Sequence, residues 1–143
     1  MIGILVVTHG GLASELVRAA VEIAAEGEAI AAVGLDWKES GESVRARIES
    51  GISDVERGAG VLILTDMFGG TPSNLAFPFL KQNRVEIVTG VNLPMLLRSL
   101  ATRREEPLAA LAHAVRERGR KSIEVASDLL AEASHEVAPG TVP

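Results

Sequence analysis

The stretch IGILVVTHGG, residues 2–11, decides the fold that this sequence is expected to adopt. Residues 1–7 are almost continuously apolar and leave no polar face for water, which is typical of a central strand in a parallel sheet. Gly10 and Gly11 end that strand, and a helical pattern follows at once. His9 is therefore expected at the carboxyl end of a buried strand, where open α/β sheets bind ligands and do chemistry.

Strands and helices are predicted to alternate along the chain. Apolar runs predict strands at residues 1–7, 29–35, 61–65 and 85–88, and helical periodicity predicts helices at residues 12–25, 40–56, 71–82, 92–101 and from 105 onward. Such alternation implies right-handed crossovers and a parallel sheet covered on both faces. We therefore expect a three-layer, flavodoxin-like α/β fold with the four strands in the order 2-1-3-4.

The C-terminal region leaves two interpretations open. Gly119 is expected to end the preceding helix, and residues 121–125 alternate enough to form a fifth strand at the sheet edge. A helix running through Ala133 fits the same residues, and periodicity alone does not decide between them. We expect one domain over residues 1–130 and a disordered tail over residues 131–143, which are rich in small residues and proline.

Composition excludes several functional classes. The chain has 143 residues, a net charge of −5 and 3% aromatic residues, which argues against a nucleic-acid surface. It has no cysteine, which excludes disulfides and thiolate metal sites. Its apolar runs are far shorter than the ~20 residues of a membrane span. Since no signal peptide is evident either, we expect a soluble, cytoplasmic protein without membrane insertion.

Two strand ends carry polar residues that are expected to meet. His9 follows the first strand and Asp66 the third, and these strands are neighbours in the predicted order. Adjacent strands lie roughly 4.8 Å apart, so the Asp66 carboxylate is within reach of the imidazole. Such a carboxylate fixes the tautomer and favours the charged ring. The other ring nitrogen is then free to act as a nucleophile or a ligand.

The segment that follows Asp66 is expected to bind an anion. Gly69 and Gly70 allow close backbone approach, and Thr71 followed by Pro72 predicts a capped helix start with unpaired N–H groups. The hydroxyls of Thr71 and Ser73 would add donors. Together with His9 these residues predict a site that accepts a phosphoryl group. The sequence has neither a Walker lysine nor a GxGxxG loop, and we expect no nucleotide, no other cofactor and no metal.

Three stretches resemble a known family in order and spacing: IGILVVTHGGLA, GVLILTDMFGGTPSNLA and VEIVTGVNLPMLL. The family is the enzyme IIA component of the mannose family in the bacterial phosphoenolpyruvate-dependent sugar phosphotransferase system, and the resemblance covers residues 1–121. It implies that His9 takes a phosphoryl group from the phosphohistidine carrier HPr and passes it to a IIB component on a separate chain. It also implies that Asp66 is the partner of the His9 ring and that the phosphoryl group is held by Gly69, Gly70, Thr71 and Ser73.

The resemblance further implies a homodimer in which residues 121–125 form a strand that is exchanged to the sheet edge of the partner copy. A nearby loop that shapes the rim of the site would contain Gly90, Val91, Asn92 and Pro94. Gly11 and Leu12 stand where some relatives carry bulkier residues, which leaves the choice of partner open. Thr71 replaces the serine of some relatives and keeps the hydroxyl.

Three alternatives remain at this point. A regulatory module of an incomplete phosphotransferase system would use the same histidine. The phosphotransferase subunit of dihydroxyacetone kinase is a close relative, but the GGTPSN segment favours the mannose type. A small cobalt or iron chelatase also has a first strand ending in a histidine–glycine pair, yet it needs a second histidine facing the first. His113, expected within a helix, and His135, expected in the tail, are poor candidates for that ligand.

Overall fold

The computed structural model of the chain describes residues 1–136, which contain four strands and six α-helices. Their bounds are β1 (Gly3–His9), α1 (Leu12–Ala24), β2 (Ile30–Leu35), α2 (Gly41–Val55), β3 (Val61–Thr65), α3 (Thr71–Ala76), a short 3₁₀ helix (Phe77–Phe79), β4 (Val85–Thr89), α4 (Leu93–Thr102), α5 (Leu108–Lys121) and α6 (Ala126–Glu136). None of the helices in this part of the chain combines the length and the apolar character that crossing a bilayer requires.

The four strands form one parallel sheet in the order β2-β1-β3-β4, which confirms the predicted order and the flavodoxin-like fold class. Val7 of β1 pairs with Val33 of β2 and with Thr65 of β3, so these strands end at nearly the same level. The carboxyl ends of β1 and β3 therefore lie side by side, and the connections that follow them meet at one edge of the sheet.

Apolar residues of the two central strands pack against helices on both faces. Ile4 and Leu64 belong to the cluster that α1, α4 and α5 cover, whereas Leu5 and Ile63 belong to the cluster that α2 and α3 cover. Successive side chains of a strand point to opposite faces, so an uninterrupted apolar run supplies both cores at once. Polar chemistry is thereby confined to the ends of these strands.

Two predicted helix boundaries differ from the structure. Gly70, rather than Thr71, precedes α3 as the N-cap residue, and Thr71 is the first helical residue. The helix ends at Ala76 instead of continuing to residue 82. Pro78 explains the early end, because proline lacks an N–H and its ring clashes with the carbonyl one turn earlier.

The helix α5 does not stop at Gly119, contrary to the prediction. Gly119 is buried in this helix, and a Cβ atom there would lie 2.6 Å from the Sδ atom of Met95. The glycine thus permits close packing of α5 on α4. The packing that this close approach allows outweighs the low helix propensity of glycine.

The sequence leaves a strand and a helix open for residues 121–125, and within the single chain this segment forms no strand. Lys121 ends α5, residues 122–125 form neither helix nor strand, and α6 begins at Ala126, so the helical alternative agrees with the structure only from Ala126 onward. A strand needs a neighbouring backbone for its hydrogen bonds, and Ile123 and Val125 remain exposed here. The domain boundary expected at residue 130 falls inside α6, and residues 137–143 of the expected tail lie outside the described residues.

Candidate functional site

His9 lies at the last position of β1, where the backbone turns sharply. Gly10 adopts a left-handed conformation with φ of 53°, and its N–H donates to the Leu35 carbonyl at 3.0 Å. A Cβ atom on Gly34 would lie only 2.1 Å from the Gly10 carbonyl oxygen, so a side chain at residue 34 would collide with the turn. Two glycines therefore hold the His9 backbone at the sheet edge, and the His9 side chain is 45% exposed.

Thr8 fixes the connection between β1 and α1, a role that the sequence reasoning missed. Its side chain is fully buried, and its Oγ1 accepts a hydrogen bond from the Ala13 N–H at 2.7 Å. The same hydroxyl donates to the His9 carbonyl at 3.1 Å. Gly11, the N-cap residue of α1, has no side chain for capping, and Thr8 supplies the missing acceptor from the strand. The sequence signal for this capping role is a threonine three residues before the glycine that precedes α1.

Asp66 meets His9 across the ends of β3 and β1. Its Oδ2 accepts from the His9 backbone N–H at 3.0 Å and contacts the His9 Nδ1 at 2.7 Å, while its Oδ1 accepts from the Met67 N–H at 3.0 Å. The Asp66 side chain is only 13% exposed. The structure thus brings together the two strand-end residues that the sequence singled out.

The contact with Asp66 determines which nitrogen of His9 is reactive. An ionised carboxylate only accepts hydrogen bonds, so the Nδ1 atom carries the proton and donates it to Oδ2. In the neutral ring, Nε2 then has a free lone pair. Within the described part of the chain, Nε2 makes no hydrogen bond.

Partial burial disfavours the charged form of Asp66 and, acting alone, would raise the pKa of this carboxyl group. Hydrogen bonds from the His9 backbone N–H and from the His9 ring, together with the attraction of that ring, outweigh the burial and hold the pKa below its ordinary value. Asp66 is therefore an anion throughout the neutral pH range. A permanent negative charge beside Nδ1 stabilises any positive charge that develops on the imidazole.

The loop before α3 places backbone next to the free nitrogen of His9. A Cβ atom built on Gly70 would lie 3.1 Å from the His9 Cε1 and 3.6 Å from Nε2, so the bare glycine leaves room for a group bound there. Gly69 adopts a φ of 83°, and Thr71 lines the same groove as His9. Gly70 is thus next to the His9 ring, and Thr71 is in the same groove.

Ser73 differs from the expectation that its hydroxyl faces the site. The residue is completely buried, and its Oγ accepts from the Gly69 N–H and donates to the Gly70 carbonyl, each at 3.0 Å. The hydroxyl proton is therefore used inside the loop. Ser73 shapes the glycine pair rather than presenting a free donor, a role that depends on the loop backbone and not on residue type.

The expected rim loop begins directly after β4. Val91 donates its N–H to the Thr65 carbonyl at 2.9 Å, which ties this loop to the end of β3. The Asn92 side chain caps α4 by accepting from the Met95 N–H at 3.1 Å. Asn92 and Gly90 line a separate cavity of about 510 Å³ along β4, not the groove beside His9.

The groove beside His9 has a volume of about 350 Å³ and runs between the connections that follow β1, β2 and β3. Its lining includes Leu35, Leu75 and the 94% exposed Trp37.

His113 lines the other cavity, and its Nδ1 donates to the Ala109 carbonyl at 2.7 Å. Among the side chains that the structure describes, no three histidine or acidic groups lie close enough together to hold a metal ion.

The family model described as EIIA-man, PTS system fructose IIA component, matches residues 3–116. The chain belongs to this family. IIA components are phosphoryl carriers of the sugar phosphotransferase system, and the matched residues include both His9 and Asp66.

Two phosphotransferase-system relatives are each 30% identical to this chain. One is the fructose-specific EIIA component of Bacillus subtilis, aligned over 131 residues that cover 91% of this chain and 90% of that protein. The other is the mannose-specific EIIAB component of Escherichia coli K12, aligned over 148 positions that cover 96% of this chain. The chain spans 46% of the length of that second relative.

Solved IIA structures have the same fold. An EIIA component from Streptococcus agalactiae superposes with a TM-score of 0.80 at 25% identity, covering 90% of this chain and 99% of that one. A IIA protein associated with the fucose utilization operon of Streptococcus pneumoniae gives a TM-score of 0.79 at 25% identity, covering 90% and 95%. The mannose/sorbose-specific IIA subunit of Enterococcus faecalis, at 22% identity and a TM-score of 0.76, agrees in fold.

Proposed function

We propose that this IIA chain is a cytoplasmic phosphohistidine carrier. His9 accepts a phosphoryl group from phospho-HPr and passes it to a IIB component on a separate chain during sugar uptake. The observation that carries this proposal is the Asp66 carboxylate on the Nδ1 atom of His9, which leaves the Nε2 lone pair free beside Gly70.

The reaction is an in-line transfer between two imidazoles. The Nε2 lone pair of His9 attacks phosphorus, and the bond between phosphorus and the donor nitrogen breaks, returning its electron pair to the donor ring. His9 becomes an N-phosphorylated imidazolium that keeps its proton on Nδ1. Asp66 holds that proton at 2.7 Å and stabilises the positive ring, so the protein acts by positioning and by electrostatics. Transfer to the acceptor reverses these steps.

Backbone groups of the glycine loop are proposed to hold the phosphoryl oxygens. Gly70 keeps this space free of a side chain, Gly69 precedes it with a left-handed backbone, and Thr71 adds an exposed residue with a hydroxyl in the same groove. Ser73 contributes indirectly, because its buried hydroxyl fixes the two glycines. Backbone N–H groups at the start of a helix favour an anion.

Phosphorylation by purified components tests this function. The chain is incubated with labelled phosphoenolpyruvate, enzyme I and HPr, and the expected label is labile in acid and stable in base, as a phosphohistidine is. His9→Ala should abolish the label, whereas His113→Ala is the matched control and should keep it. Label that persists in His9→Ala, or that forms equally without HPr, would contradict the proposal.

A homodimer with exchanged strands is proposed for the same chain. The strand β4 forms one edge of the sheet, and a cavity of about 510 Å³ runs along it. Ile123 and Val125, which belong to the segment that would be exchanged, are exposed. Residues 121–125 of a second copy would pair with β4 as an added strand. That strand would cover the sheet edge and the cavity beside it. Glu124→Pro removes a backbone donor from that segment and should yield a monomer by sedimentation. Glu124→Ala keeps the donor and should stay dimeric; equal masses for both variants would refute the exchange.

A further inference from the structure

Several exposed apolar side chains follow the strand ends at the reactive edge of the sheet. Four of them follow the carboxyl ends of β1, β2 and β3 and form what we call the apolar collar: Leu12, Trp37, Met67 and Phe68. Phe68 is 72% exposed and Trp37 is 94% exposed, although the whole chain contains only four aromatic residues. Large apolar side chains that stay exposed beside a reactive site are candidates for contact with a partner protein.

Trp37 contributes nothing visible to the fold of its own loop. The connection between β2 and α2 is held by polar contacts: the Asp36 carboxylate accepts from the Lys38 N–H at 3.3 Å, and the Asp36 carbonyl accepts from the Glu39 N–H at 3.0 Å. Glu39 is fixed in turn by the Ser43 hydroxyl and by Arg47, both at 2.7 Å. The loop therefore holds the indole in water, beside the groove that His9 lines.

The groove offers an incoming phosphoryl group no positively charged lysine or arginine side chain among its lining residues within the described chain. The acidic Asp36 lines it, and Glu39, which also lines it, is paired with Arg47 outside the lining. A phosphorylated donor thus has to be attracted by other means. Apolar contact with Trp37 and basic residues on the donor itself would supply this attraction.

We propose that Trp37 is the docking residue for the phosphoryl-donor protein. The donor that fits is a carrier with an apolar surface beside its own phosphohistidine and with lysine or arginine at the rim of that surface. A buried tryptophan at the centre of an interface is a common energetic hot spot. This inference rests on the proposed carrier function, since it names the chemistry of the partner that reaches His9.

Kinetics with two phosphoryl donors test the role of Trp37. Phospho-HPr has to dock, whereas phosphoramidate, a small phosphoryl donor, does not. Trp37→Ala should raise the KM for phospho-HPr by about tenfold or more, with kcat and labelling by phosphoramidate unchanged. Trp37→Phe should recover most of the loss. The matched control is Ile23→Ala, an exposed apolar residue near the other end of α1, which should behave as wild type.

Fluorescence reports the same contact directly, because Trp37 is the only tryptophan of the chain. Titration with a tryptophan-free HPr should shift its emission to shorter wavelengths as the indole leaves water. An unchanged emission at saturation, an unchanged KM in Trp37→Ala, or an equal loss of labelling with both donors would overturn the inference. A wild-type chain that takes no label from either donor would instead overturn the carrier function itself.

Discussion

Replacing Asp66 by asparagine changes the Oδ2 atom, which accepts hydrogen bonds from two donors of His9. Oδ2 accepts both the His9 backbone N–H and the His9 Nδ1 proton, and Oδ1 accepts the Met67 N–H. An amide has one accepting end and one donating end. If its oxygen takes the place of Oδ2, the NH₂ group faces the Met67 N–H. If the NH₂ group takes that place, it opposes the His9 backbone N–H and forces the ring proton onto Nε2, which blocks the nucleophile.

Both orientations remove the negative charge that stabilises the phosphorylated imidazolium. A hydrogen bond to a charged group contributes about 1.5–3 kcal/mol, which corresponds to roughly 10- to 150-fold in the rate of transfer. We therefore expect Asp66→Asn to slow single-turnover transfer from phospho-HPr by that factor. The KM should change little, because Asp66 is mostly buried and does not belong to the apolar collar.

Rapid quenching of the labelled chain at early times measures this rate. Asp54→Asn, which neutralises an exposed carboxylate on α2, is the matched control and should transfer at the wild-type rate. Circular dichroism shows whether each variant is folded. Wild-type transfer by a folded Asp66→Asn chain would refute the assignment of Asp66 as the group that holds the Nδ1 proton.

The pH dependence of stability follows from the same contact. The folded-state pKa of Asp66 lies below its unfolded value of about 3.9, so its contribution to the free energy of unfolding is fully present above that value. It is lost as the pH falls through the folded-state pKa. The difference in Tm between wild type and Asp66→Asn should therefore stay constant from neutral pH to about pH 5 and shrink below about pH 4. A difference that already shrinks near neutrality would contradict this.

Three further substitutions test the supports of the site. Thr8→Val leaves the Ala13 N–H without its acceptor and should lower the free energy of unfolding in urea by about 1 kcal/mol, with Thr8→Ser recovering it. Gly34→Ala forces a Cβ atom against the Gly10 carbonyl and should lower both Tm and label yield, whereas Gly11→Ala, which meets nothing within 4 Å, should change neither. Arg103→Met removes a buried guanidinium that binds two carbonyls and a carboxylate and should cost about 2–4 kcal/mol. The Arg103 carbonyl accepts a hydrogen bond from the Ile2 N–H, at the end of β1 opposite His9. The transfer rate of the folded fraction of this variant should therefore stay unchanged.

The sheet was predictable because its central strands are apolar without interruption. Runs such as residues 61–65 have no second face for water, so they must lie inside the sheet, and the helices between them must cover it. The meeting of His9 and Asp66 follows from this order, since neighbouring parallel strands end at the same edge. The part of the site that depends on topology could therefore be inferred from the sequence.

The rest depends on contacts that no local pattern specifies. Gly119 remains helical because α5 packs closely on Met95, and the five residues 121–125 are too short a run for periodicity to separate a strand from a helical connection. The hydroxyl of Ser73 turns inward because the Gly69 N–H and the Gly70 carbonyl lie on either side of it. Such polar pairings require the folded loop.

The proposed docking and the proposed chemistry rely on different residues at one sheet edge. Since Oδ2 of Asp66 holds both the backbone and the ring of His9, the imidazole is oriented before any partner arrives, and little reorganisation remains for the transfer step. Trp37 lies on another connection, whose shape is fixed by Asp36 and Glu39. A change at Trp37 should therefore alter the KM alone, and a change at Asp66 should alter kcat alone. In the double variant Trp37→Ala, Asp66→Asn the two effects should then add in free energy, and a large coupling between them would show that docking and ring orientation are one process.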